Sequence, residues 1–215
     1  MIRSVVEVIH KSVYHSLMAS HGLSIGRPEV DDDYLNMTAA SANVSTIHSR
    51  AVWCELNTAT VTDTTQVFVD WDVQMSPVVE AVTSGGMDIW VVSGYSVSNS
   101  VSVSAGVDAT AVAQQLHALF NIEYSKTWTT QTMVEIKGTV PDGYSGVMIT
   151  RPWKTRKYGR TLKGCVGSMT QTGTFMADSY SDGSYSGLKW ISGTISMCVK
   201  KEFPLTRCEG SGYFI

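Results

Sequence analysis

Charge is the first thing this sequence is short of. Asp, Glu, Lys and Arg make up 16% of its 215 residues, and the formal net charge is −3. A general nucleic-acid binder needs a basic surplus to meet phosphates, so no specific nucleic-acid partner is expected. Long apolar runs are missing as well. No stretch approaches the roughly 20 residues of a membrane-crossing helix, and the first 25 residues hold no apolar run of the roughly 7–15 residues that a signal peptide requires. Histidines number five, four of them before residue 50, and no C-x-x-C spacing exists, which removes the usual zinc patterns. The nearest approach to a serine-hydrolase elbow, 183–187, carries Tyr185 in the nucleophile slot. A calcium loop counted from Asp178 places Tyr180 and Lys189 at ligand positions, which no hard cation accepts. Gly164-x-x-Gly167 is too short for a phosphate cradle and lacks its lysine. These absences lead us to expect a non-enzymatic protein without cofactor or metal.

Ser, Thr, Gly and Val fill the space that charge leaves. This is the composition of sheets with one polar, uncharged face. Alternation appears in two long runs. In 95–106, Val97, Asn99, Val101, Val103 and Ala105 alternate with Ser96, Ser98, Ser100, Ser102 and Ser104. In 120–137, Phe120, Ile122, Tyr124, Lys126, Trp128, Thr130, Thr132, Val134 and Ile136 share one face. Tyr124 and Trp128 are its large aromatic members. Each run is read as one long strand. Between them Asp108 caps a helix over 109–119 whose Val112, Leu116 and Leu119 share a face. Shorter strands are expected over 51–56, 60–65, 66–75, 88–93, 144–150, 165–170, 173–179 and 188–199, with 209–215 as a last edge. Pro141-Asp142-Gly143 is a tight-turn signature.

Residues 2–18 space Ile2, Val5, Val6, Ile9, Val13, Leu17 and Met18 as a helix, with Gly22 as its stop. A polar arm follows, holding Pro28, Asp31-Asp32-Asp33 and the sequons Asn36-Met37-Thr38 and Asn43-Val44-Ser45. The organisation is therefore an N-terminal helix and arm over 1–50 and a β-rich domain over 51–215. The aspartate triplet and Asp70-Trp71-Asp72 are read as solvated carboxylates.

The four cysteines allow three pairings, or four buried thiols in a reducing compartment. Cys198 and Cys208 enclose a short loop and are the preferred pair, which leaves Cys54 with Cys165. Two disulfides and the sequons point to an extracellular protein, although no signal peptide is present in this chain.

One segment is densely basic. Residues 151–163 hold Arg151, Lys154, Arg156, Lys157, Arg160 and Lys163 with no acid, interleaved with Trp153 and Tyr158. Read as a loop, Arg151, Trp153, Lys154, Arg156, Lys157, Tyr158 and Arg160 form a surface for anionic headgroups or an anionic glycan. The alternative is a solvated loop whose cations neutralise acidic neighbours.

The alternating run, then Tyr124-Ser125-Lys126-Thr127-Trp128-Thr129-Thr130, then Val140-Pro141-x-Gly143, resembles the pore module of aerolysin-type toxins. Arg151-Pro152-Trp153, Gly164-Cys165-Val166-Gly167, Ala177-Asp178-Ser179-Tyr180, Leu188-x-Trp190 and Arg207-Cys208-x-Gly210-x-Gly212 are similar to small secreted ascomycete proteins of effector type. The resemblance implies a mainly β fold, an elongated antiparallel sheet or sandwich of aerolysin-like type with one or two short helices. It implies a secreted, toxin-like protein acting at membranes through strand oligomerisation as a homo-oligomer. A glycan- or protein-binding module without lytic activity is the competing expectation.

Overall fold

One strand organises the molecule. In the computed structural model, which describes residues 9–37, 57–185 and 188–215, β10 (Ser145–Cys165) runs through both halves of the main sheet. At about 3.3 Å per residue it extends for roughly 70 Å. The preceding strands are β1 (Ser24–Ile25), β2 (Asn57–Val69), β3 (Val73–Gln74), β4 (Val79–Glu80), β5 (Met87–Val91), β6 (Ser96–Ser98), β7 (Ser100–Val103), β8 (Thr127–Thr129) and β9 (Met133–Val140). After it come β11 (Ser168–Tyr180), β12 (Asp182–Tyr185), β13 (Leu188–Ile191) and β14 (Gly193–Lys200). The helices are α1 (Lys11–Ser20), α2 (Asp32–Leu35) and α3 (Ala109–Phe120). The fold is mainly β, as composition predicts, with three helices among the described residues where one or two were expected.

The two halves of β10 differ in chemistry. Its first half pairs with β14 and with β3 and β4, and residues 145–150 are buried throughout. Met75, Val140, Met148, Trp190 and Ile191 pack the body there, and Val147, Ile149, Leu205 and Phe214 pack a second cluster. Its second half pairs antiparallel with β2 and β11. This three-stranded extension is rich in threonine, with Thr58, Thr60, Thr62, Thr64 and Thr65 on β2 and Thr170, Thr172 and Thr174 on β11. Gly159 sits where β10 crosses a register shift against β2. A side chain there would meet the Phe175 ring and the Val61 carbonyl at 2.3 Å, so close approach requires glycine.

The two alternating runs are not continuous strands. The first divides at Asn99 into β6, which pairs with β8, and β7, which pairs with β11. Asn99 is buried. Its Nδ2 donates to the Glu123 carbonyl at 2.7 Å, and its Oδ1 accepts the Tyr180 N–H at 2.8 Å. The second run begins with Phe120 inside α3, and Asn121 closes that helix in the left-handed conformation, φ 54°. Strand structure resumes for three residues in β8, then continues in β9 against β5. Burial nevertheless alternates residue by residue from Asn121 to Thr130. The period of two is real, but a ladder covers little of it.

The basic segment is strand, not loop. Residues 151–163 all belong to β10. Pro152, which ordinarily speaks against a strand interior, lies opposite Gly193 of β14, and its carbonyl accepts the Asp70 N–H at 2.8 Å.

Smaller departures follow the same logic. The strands expected over 60–65 and 66–75 merge into β2 followed by β3, and the one over 188–199 divides into β13 and β14. The tail contributes one bridge, Thr206 to Tyr213, while Phe214 enters the core. The Asp108 cap forms as predicted, accepting the Thr110 N–H at 2.8 Å, but Leu119 is 60% exposed. α1 starts at Lys11 and docks Tyr14 and Met18 on Val69, leaving the Val13 and Leu17 face outside. The arm is stitched to the sheet: β1 pairs with β2, and Tyr34 Oη donates to Asp63. Residues 1–8 and the strand expected over 51–56 lie outside the described residues, as does the second sequon; Asn36 of the first is exposed.

Candidate functional site

Period two sorts the cations of β10 onto its two faces. Lys154, Arg156 and Tyr158 point one way and are buried; Arg151, Trp153 and Lys157 point the other way and are half-buried. Of the seven residues assigned by sequence to an anion-binding loop, Arg160 alone is exposed. Each charged member has an internal partner. Arg156 forks onto Asp178, its direct register partner on β11, with Nε and Nη2 at 2.7 and 2.8 Å. Lys154 lies 2.6 Å from Asp70 and 3.4 Å from Asp178. Arg151 reaches Asp72 at 3.1 Å and Glu209 at 3.5 Å, and Arg160 reaches Asp63 at 2.8 Å. Lys157 stands 4.2 Å from the Phe120 ring. Tyr158 donates no surface anchor; its Oη accepts the Asp31 N–H.

Asp70 and Asp72 are correspondingly not solvated. Burial by itself would raise the Asp70 carboxyl, but the Arg27 hydrogen bonds and the Lys154 charge outweigh it and hold the group at about 2. Tyr180 Oη also donates to Asp70 at 2.9 Å, and burial beside that carboxylate pushes the phenol far above its usual range. Removing Asp178 would strand the buried Arg156 guanidinium, at a cost of about 3–5 kcal/mol. The lattice therefore clamps β10 to β2 and β11.

Tyr124 and Trp128 do share a face, and it is the inward one. Tyr124 lies with Val112, Leu116, Phe175 and Ala177 beneath α3, and burial pushes its hydroxyl up to about 12. Trp128 packs in the body against Tyr180 and donates its Nε1–H to Asp182 at 2.8 Å. Lys126 meets the same carboxylate at 2.7 Å. Asp182 therefore ties the returning flank of the 95–130 segment to the body, and Asn99 ties the outgoing one.

Cys198 and Cys208 form a disulfide, as predicted. Cys165 is disulfide-bonded too, and Cys54, the partner predicted for it, lies outside the described residues.

Three cavities border the 95–130 segment. The first, about 420 Å³, is lined by Arg27, Asp70, Trp71, Tyr95, Tyr180 and Arg207 among others. The second, about 320 Å³, lies beside α3 and is walled by Thr58, Gln115, Thr161 and Thr172. The third, about 220 Å³, touches Ser104 and Ala105. Arg27, Arg207, Asn99 and Asp182 were not singled out from sequence as site residues. For Asn99 and Asp182 the available signal was an amide or charge beside strand residues; Arg27 and Arg207 lie in irregular segments and carry none. Comparison with family models, curated proteins and solved structures finds no match.

Proposed function

We propose that this is a secreted, toxin-like protein that acts on membranes, and that residues 95–130 are the part that inserts. One observation carries the reading. Val97 opposes Trp128 where β6 meets β8. Carrying that register inward would pair Val101 with Tyr124, Val103 with Ile122, Ala105 with Phe120 and Ala109 with Leu116, all on one face. The other face would pair Ser100 with Ser125, Ser102 with Glu123, Ser104 with Asn121, Asp108 with His117 and Thr110 with Gln115. Asp108 and Glu123, the acids of 101–124, both fall on that polar face. The stretches 101–110 and 115–124 each fall within the roughly 9–11 residues of a tilted membrane strand. A membrane barrel needs this two-faced pattern, and it needs closure, because lipid offers no partner to an open strand edge. A homo-oligomer is the expected active form.

The packing of the segment supports release. Its outgoing flank is held by the four-residue ladder of β7 on β11; the three-residue ladder of β8 runs to β6 and closes the segment on itself, so the returning flank rests on the Asp182 contacts. Its apolar face is hidden under α3, against Phe175 and Ala177. The Thr-rich extension beside an apolar body suits an elongated sheet of aerolysin-like type. The Cys198–Cys208 disulfide suits an oxidising compartment. No helix among the described residues is long and apolar enough to cross a membrane, so strands would have to do it.

The test is a covalent lock. Ser102 and Met176 are Cα partners between β7 and β11. Oxidised S102C/M176C should release liposome-trapped calcein at least about tenfold more slowly than the same variant with its introduced thiols alkylated. Equal release from both forms, or a wild type that is monomeric and non-lytic on neutral and anionic vesicles alike, would overturn the proposal.

A further inference from the structure

The cations the sequence assigned to a surface are consumed inside the protein, yet the same ion lattice leaves two cations over elsewhere. Around Asp70 and Asp178 stand three cations, Arg27, Lys154 and Arg156. Around Asp72 and Glu209 stand three more, Lys11 and Arg151 by ion pairs and Arg207 through the Asp72 carbonyl. Each group holds one positive side chain beyond its carboxylates. Its partly exposed guanidinium, Arg27 in one and Arg207 in the other, lines the 420 Å³ cavity. No further carboxylate stands within ion-pair distance of either among the described residues.

We infer that this cavity binds a tetrahedral oxyanion, a phosphate or sulfate group, between Arg27 and Arg207. Arg27 is pre-positioned for the task. Nε and Nη2 hold Asp70 at 2.6 and 3.1 Å, and the guanidinium lies 4.4 Å over the Trp71 ring. Its Nη1 has no hydrogen-bond partner among the described residues. Gly210 packs closely on Trp71, where an added side chain would meet the indole at 2.6 Å. Arg207 spends Nη1 on the Asp72 carbonyl and is backed by the Phe214 ring at 5.0 Å, which leaves Nε and Nη2 for a ligand. Guanidinium donors held in a fixed plane suit phosphate and sulfate better than an ammonium does. Both carboxylates on the wall, Asp70 and Asp72, are already saturated by cations and N–H donors, so they do not repel an arriving anion as free carboxylates would. Ser96, Tyr95 and Ser211 at the lining add hydroxyls for the remainder of the ligand. A cavity of this size accepts a headgroup or a single sugar unit. Arg27 and Arg207 lie outside the 95–130 segment, so the site does not need the insertion proposal, although Tyr95 and Ser96 belong to that segment.

The test titrates inorganic phosphate and inorganic sulfate, at low ionic strength, into the full chain labelled with nitrogen-15. Saturable shifts of the Trp71 Nε1–H and Arg27 Nε–H signals are expected. R27Q and R207Q should each weaken binding at least about tenfold, and K163Q, which changes an exposed lysine elsewhere, should leave it unchanged. R27Q keeps Lys154 and Tyr180 on Asp70, and R207Q removes a donor to a carbonyl only, so neither strands a buried charge. Glucose 6-phosphate and vesicles containing phosphatidic acid then separate the two sources of the group. Vesicle flotation that depends on Arg27 and Arg207 assigns a lipid headgroup; saturable glucose 6-phosphate binding without flotation assigns a soluble ligand. Absence of saturable shifts, shifts retained in both R27Q and R207Q, or equal weakening in K163Q would overturn the site.

Discussion

Asp182 ties the returning flank of the 95–130 segment through one carboxylate. It accepts from Lys126 and from the Trp128 indole, and these hydrogen bonds hold its pKa below the ordinary aspartate value, with Lys189 adding to the effect. A depressed folded value means that the contact stabilises the closed state fully above about pH 4, the unfolded value. That contribution is lost as pH falls through the folded value. Lowering the pH from 5 to 3 should therefore speed calcein release by the wild type. D182N should release faster than wild type at pH 5 and show a smaller further rise towards pH 3. Asp63, Asp70 and Asp88 also titrate low, so the difference between variant and wild type carries the test. An identical pH profile for the two proteins would remove Asp182 from this role.

At the scale of the element, α3 separates two explanations of any membrane activity. Leu119 is 60% exposed and Phe120 38%, so simple surface stickiness ranks Leu119 first. The proposed hairpin register reverses that order: it would place Phe120 opposite Ala105 on the lipid face and Leu119 opposite Gly106 on the polar one. F120S should cut release at least about tenfold while L119S leaves it within about twofold. Unfolding in urea should move little for either, because neither side chain is buried; loss of the Lys157 contact in F120S is worth about 0.5–1 kcal/mol. If L119S proves the more damaging, the register is wrong.

For the whole molecule, stability is graded along β10. Its first half is buried on both faces and clamped by β14, while the segment over the second half rests on short ladders and open cavities. Local opening follows contact density and backbone pairing. Amides of 146–150 and 195–199 should therefore exchange slowest, and those of 100–103 and 127–129 should exchange well before global unfolding. Uniform protection across both sets would mean that the segment opens only with the whole fold.

Much of this was legible in the residues. Val/Ser alternation, the Asp108 cap, the Pro141-Asp142-Gly143 turn and the Cys198–Cys208 pair are local signals, and local geometry enforces them. Alternation over 121–130 also reported correctly which side chains face inward. It could not report whether a neighbouring strand lies within hydrogen-bonding reach, and this is why Phe120 and Asn121 belong to a helix and its cap. The basic segment misled for the same reason. Lys154-Thr155-Arg156 reads as solvated charge until Asp70, just past the end of β2, and Asp178, across the β10–β11 hairpin, are laid against it. An ion pair across a sheet depends on register between distant segments, and no single segment contains it. The sequence by itself thus determined a β protein low in charge with two amphipathic runs. Tertiary structure decided that β10 is its spine, that the cations of 151–160 face their own carboxylates, and that Arg27 and Arg207 are the ones left over, because charge balance is settled by which strands lie side by side.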